Sequence, residues 1–275
     1  QGWSKNRWAG LIVRFVDTHC HLYYRPYQQD YAEVVRRANA AGVETIIVPG
    51  LDLPTSQAAI RLAEEFDGVY AAVGVHPGDV DSFRPEQMAE FNTMLLHPKV
   101  IAVGEIGLDY YHRKDNLQYQ KDVCNQFLQL ALDHHKPVIL HSRECLIDLI
   151  ALVQPFQQSS TDRVLSGVFH SFEGDLRDAE VVKQLGFFIG VCGPVTYKKA
   201  HIKHELFSKI DLSKVLLETD GPFLPPHPFR GQRNEPGYIP LIAEKIAELQ
   251  LCDIKDVANQ TTRNVENLFF PDQLS

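Results

Sequence analysis

The chain has little sulfur and no sulfur pattern. Five cysteines (Cys20, Cys124, Cys145, Cys192 and Cys252) are scattered over 275 residues, odd in number and without a Cys-x-x-Cys pair. That argues against a disulfide framework and favours reduced thiols in a cytoplasmic setting. No apolar run reaches the roughly 18 residues that a spanning helix needs, so no membrane is expected as a partner. The start, Gln1 to Trp8, lacks the apolar stretch of a signal peptide, and its first residue is not Met. Residues 1–10 are read as an N-terminal extension set apart from the fold. Positive charge is in deficit: Lys and Arg number 27 against 35 Asp and Glu, a formal charge of -8. This argues against a broad basic surface of the kind that coats duplex DNA, although bound divalent cations would reverse the sign locally. There is no linker, charge block or low-complexity segment at which to cut a second domain.

What is present is regular alternation. Residues 11–18 read as a strand, and 30–41 as a helix stopped by Gly42. Residues 43–48 form a β-branched strand ended by Pro49-Gly50, and 54–66 carry Ala59, Leu62, Ala63 and Phe66 on one helical stripe. Further strands are predicted at 69–75, 100–103, 137–140, 164–169, 187–191 and 215–217. Further helices are predicted at 85–97, 116–135, 144–156, 175–185, 201–209, 238–250 and 254–270. The strands are almost continuously apolar, as strands covered on both faces should be. Eight such units across 11–270 predict a single-domain α/β fold, a (β/α)8 barrel of the TIM type. An open doubly wound sheet is the alternative, but no Gly-x-Gly-x-x-Gly follows the first strand.

Chemistry-bearing residues collect where these strands end. His19 and His21 follow the first strand, His76 the third, Glu105 the fourth, His141 the fifth, His170 the sixth and Asp220 the eighth. Along a strand His19 and His21 share a face and Cys20 takes the other. In a barrel these C-terminal ends open on one mouth. Each residue has a plainer reading: a histidine as a rim residue, Asp220 as a helix cap, Glu105 as an ion-pair partner. Those readings do not account for so many sharing one kind of position. His97, His112, His134, His135, His201, His204 and His227 fall on helices or loops and read as surface. Cys145 opens a helix, where a thiol can acidify, but no base neighbours it and it reads as structural.

Imidazoles and carboxylates together suit Zn2+, Mn2+ or Mg2+. Six ligands (His19, His21, Glu105, His141, His170 and Asp220) are too many for one tetrahedral ion that keeps a water. Two divalent ions about 3.5–4 Å apart, bridged by Glu105, fit better, and such pairs serve phosphodiester hydrolysis.

The motifs Asp17-Thr-His-Cys-His-Leu22, Gly74-Val-His-Pro77, Gly104-Glu-Ile-Gly-Leu-Asp-Tyr110, Leu140-His-Ser-Arg143, His170-Ser-Phe172, Glu218-Thr-Asp220 with Gly221-Pro222, and Arg230-Gly-Gln-Arg-Asn-Glu-Pro236 run in order through nearly the whole chain. In combination they resemble the TatD family of metal-dependent deoxyribonucleases, within the amidohydrolase-like barrels. The resemblance implies a TIM-type barrel, two divalent cations, and cleavage of DNA phosphodiesters, 3′→5′ from single-stranded ends. By the family pattern one ion takes His19, His21, Glu105 and Asp220, and the other Glu105, His141 and His170. Departures are small: the family often has His-Cys-Phe where His170-Ser-Phe172 stands, and a residue other than glycine at Gly221. Glu105 occupies the place where dihydroorotase-like barrels need a carboxylated lysine.

Within this reading Asp220 also accepts the proton of the attacking water. Glu105 bridges the ions. His76, at the mouth without a full place among the ligands, contacts substrate or protonates the leaving group. Ser142 and Arg143 follow a ligand and are placed to meet phosphate oxygens. So are Arg230 and Arg233, on a Pro-rich loop whose Phe223 or Phe229 would stack a base. The plainer reading of that loop has its arginines paired with Glu235 or another acid. The chain is expected to act as a monomer. Two other functions are consistent with the residues: an amidohydrolase or esterase acting on a small substrate, and a barrel that mainly binds a partner.

Overall fold

The computed structural model describes residues 13–157 and 164–271. The extension read at 1–10 and the first residues of the first predicted strand lie outside the described residues. Eight strands lie side by side in chain order in one sheet, every neighbouring pair parallel. They are β1 (Phe15–Asp17), β2 (Val43–Pro49), β3 (Val69–Val73), β4 (Val100–Asp109), β5 (Val138–Arg143), β6 (Gly167–Phe169), β7 (Phe188–Val191) and β8 (Val215–Leu217). The seam between β1 and β8 is joined by the Thr18 N–H on the Leu217 carbonyl at 3.1 Å and by an isolated parallel bridge between Cys20 and Gly221. The predicted barrel is thus the observed one.

Between and after the strands run α1 (Tyr31–Ala40), α2 (Leu53–Glu65), α3 (Met88–Met94), α4 (Leu117–Asp133), α5 (Leu146–Val153), α6 (Leu176–Gln184), α7 (His201–Lys209), α8 (Ile239–Gln250) and α9 (Ile254–Phe269). Carboxylates start several of them. Asp52, Asp175 and Asp253 each accept backbone N–H groups in the first turn of α2, α6 and α9. The helix predicted at 85–97 is a 3-10 turn, Pro85–Gln87, leading into the short α3.

Alternation along the strands sorts the core into two. Outward residues such as Ile46, Val48, Val138 and Leu140 pack under the helices. Inward residues such as Ile47, Ile139, Val168 and Leu216 fill the barrel, and Val265, Leu268 and Phe269 of α9 pack against them. This parity places the site. Counting two residues on from Ile139, Val168 and Leu216 gives His141, His170 and Glu218. The barrel interior is apolar at one end and becomes imidazole and carboxylate at the other.

Candidate metal centre

Several predicted strands differ from the observed ones at their polar ends; β3, for one, stops at Val73, two residues short of its predicted end. β4 continues six residues past its predicted end, so Glu105 lies within the strand, and β5 continues through His141 to Arg143. Gly107 pairs with His141 and Asp109 with Arg143, so pairing persists where the apolar run has stopped. β1 does the opposite and ends at Asp17, with His19 and His21 on the segment beyond it. The expected sidedness is kept there: both imidazoles reach the mouth, while Cys20 is buried against Tyr27.

Four donor atoms converge at the centre. Nε2 of His19 lies 3.2 Å from Nε2 of His21, 3.1 Å from Oε2 of Glu105 and 3.9 Å from Oδ1 of Asp220. Nε2 of His21 lies 3.7 Å from the same Glu105 oxygen and 3.5 Å from Asp220 Oδ1. A tetrahedron with 2.0–2.1 Å bonds has edges of about 3.3 Å, so these spacings suit one divalent ion. The other oxygen of Glu105, Oε1, lies 2.8 Å from Nδ1 of His141 and 3.8 Å from Nε2 of His76. Nε2 of His170 lies 3.7 Å from Asp220 Oδ1, and its ring stacks on His19 at 3.5 Å. The second cluster by proximity is therefore His76, Glu105 and His141, while His170 groups with His19 and Glu218.

What stands behind each imidazole fixes which nitrogen faces inward. The Tyr23 hydroxyl donates to the Pro49 carbonyl at 2.7 Å, so toward His21 Nδ1, 3.0 Å away, it acts as acceptor. His21 then carries its proton on Nδ1 and turns a bare Nε2 to the centre. His141 is held by Asp109, whose Oδ2 lies 3.2 Å from Nε2. Nδ1 of His170 lies 3.1 Å from Oε1 of Glu218 but off the line of a hydrogen bond, which leaves Nδ1 of His170 and Oε2 of Glu218 without one. His76 is wired the other way. Its Nδ1 accepts the Gly78 N–H at 3.0 Å, so in the neutral ring the proton sits on Nε2, which faces Glu105. In that tautomer His76 presents an N–H donor to the cleft.

Electrostatics agrees with this division. Burial opposes charge on Glu105, yet His19, His141 and His76 hold its carboxyl well below the usual range. Asp220 and Glu218 are likewise kept ionised against burial, by His21 and His170 for the first and by His170 for the second. For His141 burial is outweighed by hydrogen bonds to Asp109 and Glu105, and the imidazole is held up to about 9. For His170 it is outweighed by Glu218 and Asp220, and the value is about 10. His76 loses the contest: burial and the His141 charge push it down to about 3. No lysine or arginine among the described residues lines this cleft of about 480 Å3. Buried carboxylates need a cation, and here only imidazolium supplies one. The donors present, with the buried Nδ1 of His19 left without a partner, fit divalent metal.

The other expected site residues are not brought to the centre. Ser142 has the opposite parity to His141, and its hydroxyl lies 3.7 Å from Cys145 Sγ, away from the centre. Cys145 itself is buried, and its thiol is pushed up to about 11 by desolvation. Arg143 reaches the rim but gives Nη1 to Glu173 at 2.6 Å and lies over Tyr111. Arg233 forks onto both Asp30 oxygens at 2.7 and 2.8 Å and donates to the Pro26 carbonyl, so its fork is already engaged, as the plainer reading of the loop had it. Arg230 lies over Tyr197 at 4.7 Å. Phe229 stacks on Tyr238 at 4.3 Å, whereas Phe223 lines the cleft. Sequence reading assigned no role to Asp109, Glu218 or Tyr23. For Glu218 the signal was its place two residues before Asp220, on the interior parity of β8.

A parallel eight-stranded barrel with buried imidazoles and carboxylates at the C-terminal strand ends defines a metal-dependent hydrolase. The chain belongs to the TatD related DNase family, whose model matches residues 16–270. It is 39% identical over 253 residues to YabD of Bacillus subtilis (strain 168), described as an uncharacterized metal-dependent hydrolase, covering 92% of this chain and 98% of that one. It is 33% identical over 258 residues to a Klebsiella pneumoniae (strain 342) protein named 3′-5′ ssDNA/RNA exonuclease TatD, covering 92% and 97%. The crystal structure of YjjV, a TatD homologue of Escherichia coli K12, superposes with a TM-score of 0.88 at 34% identity, covering 94% of this chain and 99% of that one.

Proposed function

We propose that this hydrolase cleaves phosphodiester bonds of DNA, working 3′→5′ from single-stranded ends with two divalent ions of Mg2+, Mn2+ or Zn2+. The observation that carries the reading is the stance of Glu105, whose two oxygens face two different sets of imidazoles. A carboxylate so placed suits a bridge. His19, His21 and Asp220 would hold one ion and His141 and His170 the other, and the name of the Klebsiella relative supports the substrate class. When bound, the ions lower the pKa of water and neutralise charge on the phosphate. The residues do the rest. Asp220, ionised at the mouth, accepts the proton of the attacking water as the new P–O bond forms. His76 gives an Nε2–H hydrogen bond to the phosphate or to the oxygen that leaves as the old P–O bond breaks, and that oxygen takes its proton from solvent, to which Asp220 returns the one it accepted.

The test is metal analysis of the purified protein followed by incubation with end-labelled single- and double-stranded DNA. Progressive shortening of single strands is expected, with Asp220→Asn lowering turnover by about 10²–10⁴ or more. Turnover of small esters or amides with none of oligonucleotides would overturn the proposal.

A further inference from the structure

Two aromatic rings border the cleft on the His21 side. Tyr24 and Phe223 meet edge to face at 5.5 Å, and their centroids lie 5.3 Å and 6.3 Å from the His21 ring. Phe223 is 48% exposed, yet its backbone is fixed. Its N–H donates to the Asp220 carbonyl at 2.8 Å, and its carbonyl accepts from Nδ2 of the fully buried Asn234 at 2.7 Å. Tyr24 is fixed as well, its N–H on the His21 carbonyl and its ring stacked on Tyr23 at 5.5 Å. A solvated loop has no need to hold a phenyl ring half in water on a clamped backbone. The usual means of gripping a polyanion is also missing, since the cleft has no lysine or arginine among its described lining residues. Affinity for a nucleic-acid strand must then come from the metal centre and from π-faces. Successive nucleotides rise about 3.4 Å along a strand, so these rings lie within about two steps of a phosphate at His21.

We propose that Tyr24 and Phe223 form a subsite that takes an unpaired nucleobase beside the bond being cleaved; this rests on the phosphodiesterase reading of the same cleft. A paired base is held in its duplex by its partner and its inner neighbour and cannot swing into the cleft, so the subsite selects frayed or single-stranded ends.

The test compares two oligonucleotides on the metal-loaded protein: one ordinary single strand, and one whose last two positions at both ends are abasic. The parent is expected to prefer base-bearing ends by on the order of tenfold in kcat/KM, the scale of one stacked base. Phe223→Leu and Tyr24→Leu should each narrow that ratio toward one, and Phe223→Trp should keep it. The ratio is taken within each variant, so a loss of folded protein cancels. A parent ratio near one, or a ratio unchanged in both leucine variants, overturns the subsite while leaving the phosphodiesterase reading intact. A parent that cleaves neither strand overturns both.

Discussion

Glu218 shows how a single side chain works through its neighbour. It is fully buried, and Oε1 receives the Ser171 N–H and lies 3.1 Å from Cys192 Sγ and from His170 Nδ1. A Cβ at Gly190 would come within 2.3 Å of that oxygen, so β7 leaves its side chain out to make room for the carboxylate. Glu218→Gln keeps the volume and removes the charge that steadies His170. Metal affinity should fall about 10–100-fold, as is typical when an outer partner of a ligand is lost, and chelator competition would measure it. An unchanged affinity would reduce Glu218 to a core polar group. His141 and His170 also carry a pH signature. Metal-free, their pKa values are raised to about 9 and about 10. Raised values mean a stabilisation fully present below the unfolded value near 6.5 and lost as pH climbs through the folded ones. Protein stripped by a chelator should therefore lose melting temperature between pH 7 and 10. Metal-loaded protein, its imidazoles held by cations instead of protons, should lose less. Equal slopes for the two forms would count against these histidines as ligands.

The element that sets the whole centre is the β1–β8 seam. Asp17 is buried there, and burial raises its carboxyl to about 7. Its Oδ1 accepts the N–H groups of His19 at 3.1 Å and Thr219 at 2.9 Å, and its Oδ2 accepts the Thr219 hydroxyl at 2.5 Å. The Asp220 N–H then donates to the His19 carbonyl at 2.8 Å, so one clasp positions a ligand candidate just beyond each strand. Thr219→Val preserves shape and strands Oδ2 without that donor. A loss of about 1–3 kcal/mol is expected, read as a lower urea midpoint at unchanged slope, and an unmoved midpoint would show that the seam does not depend on the hydroxyl. Most of the barrel was legible at this scale, because strands covered on both faces stay apolar and helices show their stripe. Apart from the helix expected at 85–97, the errors fell at strand ends. β4 and β5 carry Asp109, His141 and Arg143 while still paired, and Glu105 where their register shifts, and polar residues break the apolar run on which a strand reading rests. The candidate ligands were legible for the same reason, as polar side chains at recurrent strand ends. Their supporting acids were not. Which carboxylate stands behind which imidazole depends on parity and on neighbouring strands, and Arg233 finds Asp30 across 203 residues of chain.

At the scale of the whole molecule the formal charge is -8, and the cleft adds its own acids. The proposed substrate is a polyanion. A protein that grips four phosphates of a single strand with Lys and Arg loses roughly fiftyfold in affinity when salt rises fourfold, because each contact releases counterions. Here Arg233 is taken by Asp30 and Arg143 by Glu173, and Arg230 rests on Tyr197. None of these three arginines is left free to release counterions. Added salt instead screens the repulsion between an acidic protein and an anionic strand, which favours encounter. The two effects oppose, and the remainder is small. With the divalent ion held saturating, kcat/KM on a single-stranded oligonucleotide should change by less than about threefold between 50 and 200 mM monovalent salt. A fall of fiftyfold or more would mean that Arg143 and Arg230 leave their present partners for phosphate. The double variant Arg143→Ala and Arg230→Ala should then flatten the slope. If the two arginines instead stay with Glu173 and Tyr197, the double variant leaves an already shallow slope where it was.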